Sequence, residues 1–529
     1  MYGVCYGACT QGIDGKLVRV EIDISNGLPA FAIVGLPDSA VRESTERVRA
    51  ALKNGSYEFP MRRITVNLAP ADIRKEGASF DLAIAAGILI TSGQWSASVA
   101  EGSLLLGELS LRGDVRPIHG VLSMAMAAKE AGLKRIVVPV ENAREAALVD
   151  GIEIVAVRHL SDVPAGKGLE LPAANPVSSP ASTSREQNID FSDVVGQAQA
   201  KRALAVAAAG LHNVLFIGPP GSGKTMLMRR LAGILPPLEG EEALEVTKIH
   251  SAAGYAAHQG GLMRQRPLRA PHHTISTQGL IGGGAIPRPG EVGLAHRGVL
   301  FLDELPEFPR VALESLRQPL EDGTVTIARA RSTFTFPARF MLAATMNPCP
   351  CGYDGYEDEY HSCTCSPARK LGYFSRLSGP LLDRIDIVLD IPRVTPEEAE
   401  LWRQEGGTAT HSLDTAALAS YVLAGRQAQL ERFLGTQIKY NSELSGSSLH
   451  RYCRLDQEAN KLLVRAYKEM GLSARAHDRV LKVARTIADM EGSERIEGGH
   501  MNEALLYRSL DMRKRRWSLG EHEEAVSKF

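Results

Sequence analysis

The chain has 529 residues, of which 44% are hydrophobic and 23% charged, with 60 Lys and Arg against 61 Asp and Glu. At roughly 150 residues per domain the length gives about three domains, and the ordinary composition excludes a mainly disordered, collagenous or low-complexity chain. A net charge of −1 offers no global attraction to nucleic acid, so any such contact has to come from a local basic surface.

Met1 to Asp14 has neither the basic start nor the long apolar stretch of a signal peptide. The longest apolar run, Leu82 to Ile90, is too short to span a bilayer, so a cytoplasmic protein with no membrane partner is expected. Val18 to Ile24 and Arg63 to Leu68 alternate as strands do, while Ala40 to Leu52 and Val121 to Ala131 have helical spacing. Residues 1–162 therefore predict a compact α+β domain. Residues 163–188, rich in Pro, Ala and Ser, predict a linker.

From 189 to 395, apolar strand candidates at Asn213–Ile217, Gly298–Leu302, Phe340–Ala344 and Ile385–Leu389 are separated by helical or irregular segments. That pattern predicts an α/β domain with a largely parallel sheet. Residues 396–529 predict a helical domain, with periods in Thr415–Phe433, Gln457–Met470, Ala474–Met490 and Met501–Leu510. The basic run Arg513 to Arg516 reads as a solvated helix end.

The strand candidate at 213–217 runs into Gly218, Pro219, Pro220, Gly221, Ser222, Gly223, Lys224 and Thr225, followed by a helical stretch from Met226 to Leu235. This is the P-loop spelling between a strand and a helix. Its glycines let backbone amides turn inward around phosphate oxygens, Lys224 reaches the terminal phosphates, and the Thr225 hydroxyl can ligate Mg²⁺. Hydrolysis also needs carboxylates for the metal and for water. The next apolar strand ends in Asp303 and Glu304, which predicts Asp303 on the metal and Glu304 on the attacking water. Another ends in Asn347, suited to orienting that water. Arg384 precedes a strand and Arg475 opens a helix of the third domain; each alone reads as a surface ion pair, and with the other motifs as a nucleotide sensor.

The order P-loop, Asp303 and Glu304, Asn347, Arg384, Arg475 resembles an AAA+ ATPase of the magnesium-chelatase branch over about residues 190 to 510. The resemblance implies that Arg384 acts in trans on the neighbouring subunit's ATP, that Arg475 acts from the helical lid, and that the site is complete only in a homo-hexameric ring. Upstream, Leu105 to Leu122 and Lys75 to Ser79 resemble a Lon-type protease domain of the ribosomal S5 domain 2-like fold. Ser79 sits where the nucleophile would, but Leu122 stands at the position of the lysine base, so no peptidase activity is expected. Together the two halves resemble the bacterial YifB/ComM family across nearly the whole chain. For ComM members this implies an ATP-driven hexameric helicase that promotes DNA branch migration during natural transformation.

Between Ala256 and Arg297, five arginines, among them Arg264, Arg266, Arg269 and Arg288, accompany four histidines and a single acid, Glu291. This basic, glycine-containing insertion reads equally as a DNA-contacting pore loop or as a subunit contact. Glu321 to Phe336 alternates like a hairpin, with Arg329 and Arg331 on one face, a second pore candidate or an ordinary solvent edge. Adjacent His272 and His273 read as hydrogen-bonding loop residues.

Seven cysteines are too few for a disulfide scaffold. Four of them, Cys349, Cys351, Cys363 and Cys365, either close a structural tetrahedral Zn²⁺ site or remain reduced thiols, with His361 as a substitute ligand. The expected function is a Mg²⁺-dependent ATPase coupled to movement along DNA. The alternatives are a chelatase-type motor remodelling a protein partner and an ATP-dependent protease, the latter opposed by Leu122.

Overall fold

The computed structural model describes residues 1–164, 190–255, 261–284, 287–329, 332–357, 361–404 and 413–508. The interval expected to be a linker, apart from its first two residues, and the basic run from Arg513 lie outside the described residues, as does Arg331. Among the described residues no helix is long and apolar enough to cross a membrane.

The N-terminal domain is built on a seven-stranded mixed sheet. Its strands are β1 (Tyr2–Gln11), β2 (Asp14–Ser25), β3 (Ala30–Val34), β4 (Arg63–Ala69), β5 (Ser103–Leu105), β6 (Arg135–Pro139) and β7 (Glu153–Val157), in the order β3-β4-β2-β1-β5-β6-β7. β2 runs antiparallel to both β1 and β4. Its alternation buries Val18, Val20, Ile22 and Ile24, as a period of two requires when one face meets the core. Helices α1 (Ser39–Asn54) and α2 (Asp81–Thr91) share that core. α3 (Val121–Glu130) belongs to a second core that includes Leu104, Ile136 and Val138. The apolar run at 82–90 is thus the middle of α2, buried almost throughout.

In the second domain a parallel five-stranded sheet has the order β9-β10-β13-β8-β14. These are β8 (Val214–Ile217), β9 (Leu268–Arg269), β10 (Val299–Leu302), β13 (Met341–Met346) and β14 (Ile387–Asp390). Val214 and Phe216 face one core while Leu215 and Ile217 face another, which explains why these strands are apolar at every position. β11 (Thr324–Arg329) and β12 (Ser332–Pro337) form the expected hairpin. The helices α4 (Ala198–Gly210), α5 (Lys224–Arg230) and α6 (Gly240–Ala253) come from the same domain.

The last domain is helical: α7 (Thr415–Arg432), α8 (Gln457–Met470), α9 (Ala474–Met490) and α10 (Gly498–Leu506). α7 and α9 pack on α4, and buried Gln429 donates to the Ala209 carbonyl at 3.0 Å. The N-terminal domain docks on α6: Ile13 packs with Ile249, Leu294 and Phe336, and Lys248 meets Asp14 at 2.6 Å.

Candidate functional site

The P-loop turns at the carboxyl end of β8. Gly221 and Gly223 have φ of +78° and +86° with open space where a Cβ would stand, while a Cβ on Gly218 would overlap the Ile391 carbonyl oxygen. Glycine is therefore needed at these positions for backbone conformation and for close approach, respectively. Lys224 opens α5, which continues as a 3₁₀ turn over Leu231–Ile234, so the expected helical stretch ends just before Pro236. The Lys224 ammonium is buried and donates to the Gly218 and Pro219 carbonyls, each at 2.8 Å. Burial pushes its pKa down to about 8, against the opposing pull of Asp303 and Glu304.

Strand order completes the site. β13 lies between β8 and β10, so the residue following it arrives between the P-loop and the acidic pair, at the carboxyl ends where parallel sheets bind ligands. Asn347 Oδ1 is 3.4 Å from Lys224 Nζ. Thr225 Oγ1 donates to Asp303 Oδ2 at 2.9 Å. Sequence reasoning missed Thr345, whose buried hydroxyl donates to Asp303 Oδ1 and lies 3.3 Å from the Glu304 amide. Glu304 itself holds the left-handed conformation, φ +55°, uncommon for a residue with a Cβ. Its half-exposed carboxylate is 3.7 Å from His273 Nδ1. His273, which the sequence offers only as a hydrogen-bonding loop residue, is brought beside Glu304 by the fold; His272 hydrogen-bonds to Thr274, as loop histidines do.

Arg384 binds Glu321 and the Pro380 carbonyl. Arg475 is exposed, 3.9 Å from Asp383. Neither guanidinium bonds to a described P-loop residue of its own chain.

The arginines singled out for DNA divide into two groups. Arg266 is only 8% exposed and is bonded to Glu242, Tyr440 and the carbonyls of Pro236 and Arg297. Arg269 grips Glu291 with two bonds of 2.6 and 2.8 Å and lies over the Tyr255 ring. These two are corrected from candidate phosphate ligands to residues committed to internal carboxylates. Arg264, Arg288 and Arg329 are exposed, with Arg329 donating to the Gly284 carbonyl at 2.8 Å. Arg288 and Arg329 line a cavity of about 880 Å³ against the N-terminal domain, opposite Arg42, Arg74 and Ser79. In that domain Ser79 Oγ donates to the Ala8 carbonyl at 2.9 Å. Leu122 is fully buried, and the buried Lys75 gives its ammonium to the Pro70 carbonyl.

Cys349, Cys351, Cys363 and Cys365 converge with all four sulfurs within 4.8 Å of one another. Resolved pairs are 3.3 Å (349 to 351), 3.6 Å (351 to 363) and 3.8 Å (349 to 363). A tetrahedral zinc with bonds of about 2.3 Å has sulfur–sulfur edges of about 3.8 Å, so the four thiols match an S₄ ligand set. Burial pushes the Cys351 pKa up, but hydrogen bonds from the Tyr353 and Thr364 amides and the neighbouring thiols together bring it down to about 6, while burial pushes the other three up. His361 instead stacks on Tyr353 and contacts Arg393.

The family described as magnesium chelatase, subunit ChlI, matches residues 190–399; subunit ChlI of Mg-chelatase matches 20–142, and the magnesium chelatase subunit ChlI C-terminal family matches 412–508. An uncharacterized protein YifB of Salmonella typhimurium is 45% identical over 94% of this chain and 96% of its own length. The competence protein ComM of Haemophilus influenzae is 43% identical over 96% and 97%. Lon protease 2 of Bacillus subtilis is 29% identical over 30% of this chain and 32% of its own. The chain is accordingly a member of the YifB/ComM family, a magnesium-chelatase-like AAA+ ATPase with weak similarity to Lon proteases.

Proposed function

We propose that the chain is a Mg²⁺-dependent ATP hydrolase that assembles as a homo-hexameric ring in the cytoplasm and couples hydrolysis to translocation or branch migration on DNA. One observation carries the reading: the Asp303 carboxylate stands 2.9 Å from the Thr225 hydroxyl, beside a Lys224 ammonium 3.4 Å from Asn347. This donor set fits a magnesium nucleotide, and the open space over Gly221 and Gly223 fits its phosphates.

Thr225 and Asp303 would hold Mg²⁺, which neutralises charge on the β- and γ-phosphates. The amides from Gly221 to Thr225 and the Lys224 ammonium bind those phosphates. Glu304 takes the proton of the attacking water, and Asn347 orients that water. Arg384, bonded away from its own P-loop, is assigned to the neighbour's ATP across a ring interface, and Arg475 to the lid. The four cysteines are assigned to a structural Zn²⁺. The N-terminal domain is read as non-proteolytic, because Leu122 cannot accept the proton of Ser79.

The DNA part is supported by the resemblance to the Haemophilus competence protein ComM and by exposed Arg264, Arg288 and Arg329. It is tested by ATP turnover with and without DNA at rising salt, and by strand displacement on a branched substrate. Stimulation that fades with salt is expected, because phosphate contacts release counterions. Absence of both stimulation and displacement removes DNA and leaves a chelatase-type motor acting on a protein partner.

A further inference from the structure

Cys349 follows Asn347 by two residues, so the first thiol and the amide assigned to water share one short stretch beyond β13. The cysteine loop then returns to the nucleotide site at two points. Gly352, with φ +90°, lays its backbone on the Pro220 ring: a Cβ there would stand 2.6 Å from Pro220 Cδ and 2.8 Å from Cγ. Tyr356 donates its hydroxyl to Asp390 Oδ1 at 3.2 Å. Asp390 ends β14, and the following carbonyl, that of Ile391, is the one pressed against Gly218. Lys370, in the helix after the last cysteine, pairs with Asp354. The described residues of the loop from 349 to 365 therefore touch the P-loop directly at Pro220 and indirectly at Gly218, and the loop continues from Asn347, whose Oδ1 accepts from Lys224 at 3.4 Å.

We propose that Zn²⁺ held by Cys349, Cys351, Cys363 and Cys365 is the strut that sets Asn347 against Lys224 and seats the loop on Pro220, so that metal occupancy controls the hydrolytic step. The proposal rests on the ATPase reading above. On binding, the thiols give up their protons to solvent and the loop is closed at four points. Without the metal, Asn347 keeps β13 on its N-terminal side but loses its second anchor, the closed loop two residues on. Lys224, Thr225 and Asp303 keep theirs, since they are held by β8, α5 and β10. Turnover is lost while nucleotide affinity is retained. The cysteines and Gly352 act as positioning residues.

The test measures, on full-length protein, zinc content by atomic emission, affinity for a fluorescent ATP analogue, kcat and KM. Four proteins are compared: wild type, Cys363→Ser/Cys365→Ser, Cys363→His and Gly352→Ala. One zinc per chain is expected in the wild type and none in the double serine variant, whose kcat falls about tenfold or more with nucleotide affinity changed less than about threefold. Cys363→His, which keeps a ligand, retains zinc and recovers kcat. Gly352→Ala retains zinc but lowers kcat, because its methyl group pushes the loop off Pro220; this variant leaves all four thiols in place should the serine variant fold poorly.

Three results overturn the proposal: a zinc-free wild type, a zinc-free variant with wild-type kcat, or nucleotide affinity that falls in step with kcat. A zinc-loaded wild type that turns over no ATP overturns the ATPase reading and this one with it, and the wild-type control alone tells that failure apart.

Discussion

Thr345→Val removes one hydroxyl and nearly preserves shape. In the structure that hydroxyl donates to Asp303 Oδ1 and stands 3.3 Å from the Glu304 amide, while Thr225 engages the other carboxylate oxygen at 2.9 Å. Asp303 thus loses one of the two side-chain donors that fix its plane. A hydrogen bond to an ionised group contributes about 1.5–3 kcal/mol, and at about 1.4 kcal/mol per factor of ten its loss corresponds to roughly 10- to 150-fold in the step that needs Asp303 in place. The loss is expected in ATP turnover and in the Mg²⁺ concentration for half-maximal rate. Nucleotide affinity without Mg²⁺ should stay near wild type, because Lys224 and the P-loop amides are untouched. The assay is ATPase rate against Mg²⁺ at saturating ATP, with Thr345→Ser as the control that restores the donor. A Thr345→Val protein with wild-type rate and Mg²⁺ dependence, or a Thr345→Ser protein equally impaired, would refute the reasoning.

Lys224→Ala should abolish nucleotide binding, whereas Glu304→Gln should bind ATP and hydrolyse it slowly; equal loss of binding in both, measured with a fluorescent nucleotide, contradicts the two roles. With its pKa pushed down from 10.5 to about 8 by burial, Lys224 discharges above that pH in the ligand-free protein, so KM for ATP should climb from about pH 8 upward, and a flat KM profile argues against it. The same shift makes the unfolded chain bind the extra proton between about 8 and 10.5, so its contribution to the stability of the ligand-free fold rises with pH across that window. Arg266→Met removes the hydrogen-bonded partner of Glu242 but leaves it Arg297 at 3.5 Å, so it should cost about 1.5–3 kcal/mol in urea unfolding while leaving the salt dependence of any DNA binding unchanged; unchanged stability with weakened DNA binding would reverse the assignment. Mixing inactive Arg384→Ala and Lys224→Ala subunits should restore part of the ATPase activity if the arginine works across an interface, and no recovery at any ratio counts against that placement.

Much of the candidate site was legible because its parts are contiguous: a run of strand, glycine turn and lysine must put backbone amides and an ammonium together wherever the strand ends up. Asp303, Glu304 and Asn347 were legible as polar ends of apolar strands. Thr345 was not, since a threonine within Met341–Met346 reads as an ordinary β-branched strand residue. Only the pairing of Leu302 with Ala344 brings its hydroxyl beside Asp303. β1 went unread for a similar reason. Gly3 and Gly7 interrupt its alternation, and they are there because a Cβ would strike Thr91 at the end of α2 or Phe80 just before it, about eighty residues away in the chain.

Charge was the property least decided locally. Counting arginines from 256 to 297 suggested a basic surface, yet Arg266 and Arg297 are answered by Glu242 and Glu245 from α6, upstream of that window. Arg269 is answered by Glu291 within it. The cysteines lie between these cases: their spacing allowed zinc or free thiols, and tertiary structure gathered the sulfurs and set their loop on Pro220. Covalent neighbours and short periods determine which elements form and which chemistry each strand end offers. Which carboxylate neutralises which arginine, and what lies against the phosphate loop, depends on contacts between segments far apart in the chain, and those exist only once the sheets have closed.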